Sequence, residues 1–295
     1  MLLSIVIPTY NRAHLIENTL KSVLDQTCGD FEVIIVDDGS TDNTSEIVAP
    51  FLSEKVQYYA IKNGERGAAR NFGTQKAKGM YVNWLDSDDL LLPNHVSDIQ
   101  EAVAKNGNPE ILIFGYKNYF PKSNTYTPGF ILPEKENEIK HRLIQGNCFS
   151  CNAVIVKSGI ALENKFNENR KLSASEDYEL WLRLAAKYPM IAINQVTSVI
   201  IHHPERSVLT MNQMEQLENR FNTFIDTTTS NKEVIQFLSG KSGYFKMRNY
   251  LILAVDLASN GHKSKAVKYL FKAMRNSQKA FFQRVFWATI KHIIL

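Results

Sequence analysis

Cysteine is scarce in this chain, with three residues in 295. So few, and an odd number, exclude a disulfide framework and point to a reducing compartment, the cytoplasm. No apolar run approaches the roughly 20 residues that a membrane-spanning helix needs, so nothing is expected to cross a bilayer. Met1-Leu2-Leu3-Ser4-Ile5-Val6-Ile7-Pro8 reads directly as a strand, with no basic leader ahead of it. Neither an internal repeat nor a low-complexity segment is present, which excludes a solenoid or a repeat array. Acidic residues are missing from one region only. Residues 262–295 hold eight Lys/Arg and no Asp or Glu. Taking those eight from the total of 34 leaves 26 basic against 30 acidic residues in 1–261, so a mildly acidic body carries a basic tail suited to an anionic partner.

What is present supports a sizeable core, with 44% apolar residues. Short β-branched runs at 2–7, 31–36, 56–61, 80–85 and 111–115 alternate with helical patterns at 13–26, 43–51, 68–78 and 93–106. In the first helical pattern Leu15, Ile16, Thr19, Leu20, Val23 and Leu24 recur at helical spacing. Such alternation predicts a parallel, doubly wound α/β sheet whose ligands sit at the carboxyl ends of the strands. Residues 116–135 read as loops marked by Pro121, Pro128, Gly129 and Pro133, before a helix at 136–145. A strand at 153–157, a polar stretch at 164–175, a helix at 176–187 and a strand at 191–201 follow. Leu180, Trp181, Leu184 and Ala185 form the apolar face of that helix. From about 211 the patterns are helical. The expected domains are 1–210, with halves 1–115 and 116–210, and a helical region 211–295.

The polar residues that matter are those just after each strand. The first strand ends in Pro8-Thr9-Tyr10-Asn11-Arg12 and the second in Asp37-Asp38-Gly39-Ser40-Thr41-Asp42. Thr9, Asn11 and Arg12 offer hydrogen bonds to a nucleotide, Tyr10 offers a ring to its base, and Asp38 accepts from a ribose hydroxyl or a base N–H. Read structurally instead, Asp38, Ser40 and Thr41 build a turn and cap the next helix. After the third strand, Arg66 and Arg70 lie near a helix N-terminus, where guanidinium and helix dipole both favour a diphosphate. The plainer reading of Arg70 is a solvated surface charge. The fourth strand runs straight into Asp86-Ser87-Asp88-Asp89. Three carboxylates within four residues repel one another, and Mg²⁺ or Mn²⁺ relieves this by taking one or two of them together with substrate phosphates.

Farther along, Ser173-Ala174-Ser175-Glu176-Asp177 opens a helix. Ser173 and Glu176 have capping-box spacing, and Asp177 suits the helix dipole. A carboxylate fixed there also suits a general base acting on a hydroxyl. His202 and His203 follow the strand at 191–201, and each is either a metal or diphosphate contact or a surface residue. Cys148-x-x-Cys151 lacks the second pair of a zinc site, so its role is expected to be structural.

Five motifs in this order resemble the family 2 inverting glycosyltransferases: Ser4-Ile5-Val6-Ile7-Pro8-Thr9-Tyr10-Asn11, Val36-Asp37-Asp38-Gly39-Ser40-Thr41-Asp42, Gly67-Ala68-Ala69-Arg70-Asn71, Asp86-Ser87-Asp88-Asp89 and Glu176-Asp177. The resemblance covers roughly 2–210. It implies an α/β GT-A fold, a Rossmann-like mixed sheet flanked by helices, with a C-terminal helical appendage. It implies that Pro8, Thr9, Tyr10 and Arg12 line the nucleotide pocket, that Asp38 binds the nucleoside and that Arg70 sits near the phosphates. Asp86 and Asp88 are the implied metal-and-ribose pair, with Asp88 the more direct ligand, Asp89 bracing the loop and His203 an additional metal ligand. Asp177 is the implied catalytic base, and Glu176 shapes its surroundings. The implied cofactor is Mn²⁺ or Mg²⁺. The implied donor is a nucleotide-diphosphate sugar of the UDP type, and the acceptor a hydroxyl of a glycan or lipid-linked saccharide, reached by single inverting displacement. Ile200-Ile201 stand where many relatives place an Arg before a His, which keeps both histidines in play. The Gln-x-x-Arg-Trp motif and membrane helices of the processive synthases are missing, which implies transfer of one sugar per encounter.

In the tail, Val267, Leu270, Phe271, Met274, Phe281, Phe282, Val285, Phe286, Trp287 and Ile290 interleave with Lys265, Lys268, Lys272, Arg275, Lys279 and Arg284. Two readings stay open. One is an amphipathic segment on an anionic membrane surface, holding the protein at the inner face of the cytoplasmic membrane; the other is a helical appendage packed on the catalytic domain. Nucleic acid is not an expected partner, because the acidic body opposes it. Two rival functions are a sugar-nucleotide nucleotidyltransferase and a catalytically inactive binder of sugar nucleotides. The first wants a glycine-rich loop after the opening strand, which is missing, and the second has no need of Asp177 and an intact acidic loop together.

Overall fold

The computed structural model describes residues 1–133, 135–204 and 214–294. Contacts divide the chain into two compact units, Met1–Leu143 with Asn147–Arg206, and Ile144–Gly146 with Ser207–Leu295. The boundary expected near 210 lies in 205–213, outside the described residues.

In the first unit, β1 (Leu3–Thr9) and β2 (Phe31–Asp37) are buried along their whole length. Helices cover both faces, and strands so placed read as continuous apolar runs rather than alternating ones. Between them α1 (Ala13–Leu24) buries Ile16, Thr19, Leu20 and Val23, the stripe its spacing predicts. After α2 (Thr44–Val48), β3 (Val56–Ala60), α3 (Glu65–Lys76) and β4 (Tyr81–Trp84) complete four parallel strands in the order β3-β2-β1-β4. Ile5 and Ile7 pack with Ile16 and Leu20 of α1 and with Val96 and Ile99 of α4 (His95–Lys105). Val6, pointing the other way, meets α3 so closely that a Cβ on Gly73 would lie 2.3 Å from its Cγ1.

The parallel order stops at β4. β5 (Leu90–Leu91), absent from the sequence reading, is a two-residue strand, and β6 (Ile111–Phe120) does not lie beside β4. Antiparallel β8 (Val154–Lys157) is inserted between β4 and β6, while β9 (Ile191–Ile201) runs parallel to β6 with β5 antiparallel on its far side. The parallel sheet expected from the strand-helix alternation is therefore a mixed one, as the GT-A resemblance implies, because an apolar run states burial but not direction. The strand expected at 111–115 continues to Phe120 through a register shift around Gly115 and pairs with β7 (Thr125–Pro128), in a stretch expected to be loop. Pro128 is tolerated there because β7 pairs with β6 alone.

Helices α5 (Glu136–Gln145), α6 (Ser158–Glu163) and α7 (Glu176–Lys187) follow the chain through this half. Trp181 of α7 packs at 6.0 Å from Trp84 and 6.2 Å from Phe166. Ala174 takes a left-handed φ of 66°, which moves the start of α7 so that Ser175 is its cap. The expected capping box at Ser173 and Glu176 is thus not formed. Glu176 Oε2 accepts from the Ser175 N–H at 3.1 Å, and Ser173 Oγ donates to Glu65 instead.

The second unit is helical: α8 (Met214–Ser230), α9 (Lys232–Leu238), α10 (Ser242–Ser259), α11 (Lys263–Asn276) and α12 (Arg284–Ile294). Its core joins Leu251 and Leu257 of α10 to Ala266, Leu270 and Ala273 of α11 and Phe286 of α12. The tail is not one amphipathic stripe. Leu270 and Phe286 are buried in this unit's own core and Met274 and Ile290 pack against it, while Val267, Phe271, Phe281, Phe282, Val285 and Trp287 stay exposed. No helix among the described residues is long and apolar enough to cross a membrane.

Candidate active site

Thr9 and Asp37 close β1 and β2 side by side. Asn11, at φ 50°, spends its side chain on the loop after β2, its Oδ1 accepting from the N–H of Thr41 at 2.7 Å and of Asp42 at 3.3 Å. The turn there is built by Asp37 and Asp42. Asp37 accepts from the Ser40 N–H at 2.7 Å and the Tyr58 hydroxyl at 2.5 Å, and Asp42 accepts from the Thr44 N–H at 3.1 Å. That leaves Asp38 to face the exit of β3, where Gly64 N–H donates to Oδ1 at 2.7 Å and Asn63 Nδ2 to Oδ2 at 3.1 Å. Burial raises the Asp38 carboxyl above its ordinary range against the pull of the Gly64 and Glu65 backbone N–H groups. Pro8 and Thr9 are buried, and Thr9 Oγ1 has no hydrogen-bond partner among the described residues. Tyr10 is exposed and Arg12 half-buried at the same edge.

Arg70 is not a surface charge. Among the largest fully buried side chains of the molecule, it donates from Nη1 to Glu176 Oε1 at 2.8 Å and from Nη2 to Asp86 Oδ1 at 2.7 Å. Its guanidinium lies 5.1 Å from the Phe166 ring, and Arg66 Nε stands 3.8 Å from the same Glu176 oxygen. One residue on, Asn71 exchanges hydrogen bonds with the backbone of Phe166 at 2.8 and 2.9 Å, fixing the polar stretch 164–175 over α3. From that stretch Arg170 Nη2 donates to the Asn63 carbonyl at 2.6 Å, so the loop that meets Asp38 and the loop that leads into α7 are tied together.

In the acidic loop, Asp86, Asp88 and Asp89 offer oxygens that lie within 4.8 Å of one another. Asp89 anchors the loop: it is buried, its Oδ1 accepts from the Ile201 N–H at 3.0 Å, and its carbonyl accepts from Thr19 Oγ1 at 2.9 Å. His203 Nε2 sits 2.9 Å from Asp88 Oδ2. His202 turns away, stacked on Phe120 at 4.4 Å with its Nε2 2.9 Å from Asn118 Oδ1. Neighbours on an extended chain point to opposite sides, and this puts one histidine at the acidic loop and the other on β6. Carboxylates joined by one imidazole form a donor set that could hold a divalent cation.

Asp177, in the first turn of α7, accepts from the Tyr178 N–H at 2.7 Å through Oδ1 and from Asn147 Nδ2 at 3.1 Å through Oδ2. Phe149 N–H donates to Asn147 Oδ1 at 3.4 Å, and the Tyr178 hydroxyl bonds the Leu143 carbonyl at 2.7 Å, so this turn is pinned from two sides. Burial and the adjacent Glu176 charge push the Asp177 carboxyl up to about 6, against Arg70, Tyr178 and Asn147. Asn63, Asn147 and Arg170 were missed from sequence; the first two sit in loops and Arg170 opens a single 3-10 turn, with no motif spacing to mark any of them. Cys148 and Cys151 are free, and burial pushes the Cys148 thiol up to about 12 and raises that of Cys151.

The mixed sheet with its flanking helices has GT-A architecture, and the sequence matches those of glycosyltransferases that use sugar-nucleotide donors. Residues 4–160, more than half of the chain, match the model of Glycosyl transferase family 2, and the chain belongs to that family. It is 29% identical to an uncharacterized glycosyltransferase of Rickettsia typhi over 85% of this chain and 81% of that protein. Another uncharacterized glycosyltransferase, from Rickettsia conorii, is 29% identical over 100% of this chain, which spans only 50% of its length. The UDP-Glc:alpha-D-GlcNAc-diphosphoundecaprenol beta-1,3-glucosyltransferase WfgD of Escherichia coli is 26% identical over 89% of this chain and 97% of that one. Among solved structures, S. aureus TarS 1-349 in complex with UDP-GlcNAc has the same fold, with a TM-score of 0.71 at 17% identity over 100% of this chain and 89% of that one.

Proposed function

We propose that this protein transfers one sugar from a UDP-sugar to a hydroxyl of a glycan or lipid-linked saccharide, by metal-dependent inverting displacement with Asp177 as the base. The observation that carries this reading is Arg70, whose two nitrogens hold Asp86 of the acidic loop and Glu176, the neighbour of the base, at 2.7 and 2.8 Å. The donor edge and the base are thereby built into one frame. In the reaction the acceptor oxygen attacks the anomeric carbon as Asp177 takes its proton, and the bonding pair of the anomeric carbon leaves with the nucleoside diphosphate. Asp86, Asp88 and His203 would hold a divalent cation, which as a Lewis acid supplies charge for the departing diphosphate. Pro8, Thr9, Tyr10 and Arg12 border the nucleotide, and Asp38, steadied by Asn63 and Gly64, receives the nucleoside. Arg70 acts on the diphosphate through Asp86, since its Nη1 and Nη2 are already engaged with carboxylates.

The UDP donor and lipid-linked acceptor are supported by the likeness to WfgD, a UDP-Glc:alpha-D-GlcNAc-diphosphoundecaprenol beta-1,3-glucosyltransferase. Three free cysteines and a nucleotide-sugar donor fit a cytoplasmic site of action, with the basic tail available for the inner membrane face. The direct test is a panel of UDP-, GDP- and dTDP-sugars assayed for hydrolysis with and without Mn²⁺ or Mg²⁺. Turnover of a UDP-sugar only with metal present supports the reading; no response to any of them overturns it.

A further inference from the structure

The exposed aromatic residues of the second unit are not scattered. The turn Gln278–Phe282 and the start of α12 form a corner in which Phe281 and Phe286 stand 5.1 Å apart and Phe286 and Trp287 5.4 Å apart. Trp287 Nε1 donates to the Phe281 carbonyl at 2.9 Å, so the indole has no unpaired N–H to lose on entering an apolar phase. Phe282 is 86% exposed and Trp287 59%. Lys279, Arg284 and Lys291 lie beside these rings in sequence and are exposed with them. On α11, Lys263, Val267, Phe271 and Arg275 repeat the same alternation at four-residue spacing, all exposed.

We propose that this corner is a docking surface for an anionic lipid bilayer, with Phe282 and Trp287 at headgroup depth and Lys279, Arg284 and Lys291 against lipid phosphates. Exposed Phe and Trp rings bury their apolar surface at the headgroup boundary, and basic side chains around them gain from anionic headgroups. Charge singles out a lipid surface over a protein partner. The stretch 262–295 holds no Asp or Glu, so its charge is of one sign and complements a surface that is negative throughout, as an anionic bilayer is. The surface goes beyond the transfer reading and does not depend on it.

The experiment uses the full chain and vesicles of phosphatidylcholine with and without phosphatidylglycerol. The protein is expected to float only with the anionic vesicles. Brominated lipid is expected to quench its fluorescence through Trp287, because Trp84 and Trp181 are buried. Phe282→Ser, and separately Lys279→Glu with Arg284→Glu, should each weaken flotation by at least about tenfold. Both should leave the melting temperature and the hydrolysis of a UDP-sugar unchanged, since these side chains are exposed. Failure of the wild-type chain to float, or flotation of both variants equal to that of the wild type, overturns the proposal. So does light scattering that shows a concentration-dependent dimer abolished by Phe282→Ser, which would make a second copy the occupant.

Discussion

Asp177 is held by a backbone N–H on one oxygen and a side-chain amide on the other, and those two bonds define what substitution should do. Asp177→Asn is expected to lower kcat by about 10²–10⁴-fold while donor affinity stays, as seen by calorimetric titration with a UDP-sugar. Loss of donor binding in the folded variant would remove Asp177 from the role of base. The acid limb of kcat/KM should fall near pH 6, with activity rising as the carboxyl ionises. Asn147→Ala deletes a donor that favours the ionised form, so the limb should move to higher pH; an unmoved limb would mean that Asn147 only braces its loop. Asp177 was legible in the sequence from its place after Glu176, whereas Asn147 stands 30 residues away in a loop.

At the scale of elements, α3 and α7 meet through the Arg70 and Glu176 pair, which has little contact with water. Removing one member of a buried pair leaves the other charge without compensation, at a cost of about 3–5 kcal/mol. Arg70→Leu should therefore lower unfolding free energy in urea by that amount, and a loss under about 1 kcal/mol would show that the pair is dispensable. Gly73→Ala probes the contact of α3 with β1. Its added carbon would overlap Val6, and overpacking of this kind costs typically about 1–3 kcal/mol. Asp88→Ala leaves the Asp89 anchor in place, so the fold should persist while metal-dependent donor binding disappears in the same titration.

The pH response of the whole molecule sums groups that titrate in opposite senses. Burial lowers His95 from the usual 6.5 to about 3, with Asn83 Oδ1 3.2 Å from its Nε2. Between these values the unfolded chain binds the extra proton, so stability is lost as pH falls from about 6.5 toward 3. Asp177, raised to about 6, does the reverse, since the folded chain binds its proton first and gains stability on acidification below that point. In a series of thermal melts, His95→Gln should flatten the acid decline of the wild-type chain, and Asp177→Asn should steepen it. The Asn variant should also be the more stable protein at pH 7, by on the order of 1–3 kcal/mol. The same change of Tm between pH 7 and about 4 in the wild-type chain and in His95→Gln would contradict the His95 argument.

The sequence by itself determined the four parallel strands β1 to β4, the stripe on α1, the apolar face of α7, and the order of motifs from Thr9 to Asp177. Each of these is carried by residues near one another in the chain, through period, propensity and spacing. Only the tertiary structure decided that β8 lies between β4 and β6, that Asp37 rather than Asp38 makes the turn, and that His203 rather than His202 meets Asp88. It also buried Arg70 between Asp86 and Glu176, 16 and 106 positions away, and divided the basic tail into a packed face and an exposed corner. Local patterns state that a side chain will be buried or turned outward. Which partner it finds is set by contacts across the chain, and a pattern along one segment does not encode the direction or identity of the segment packed against it.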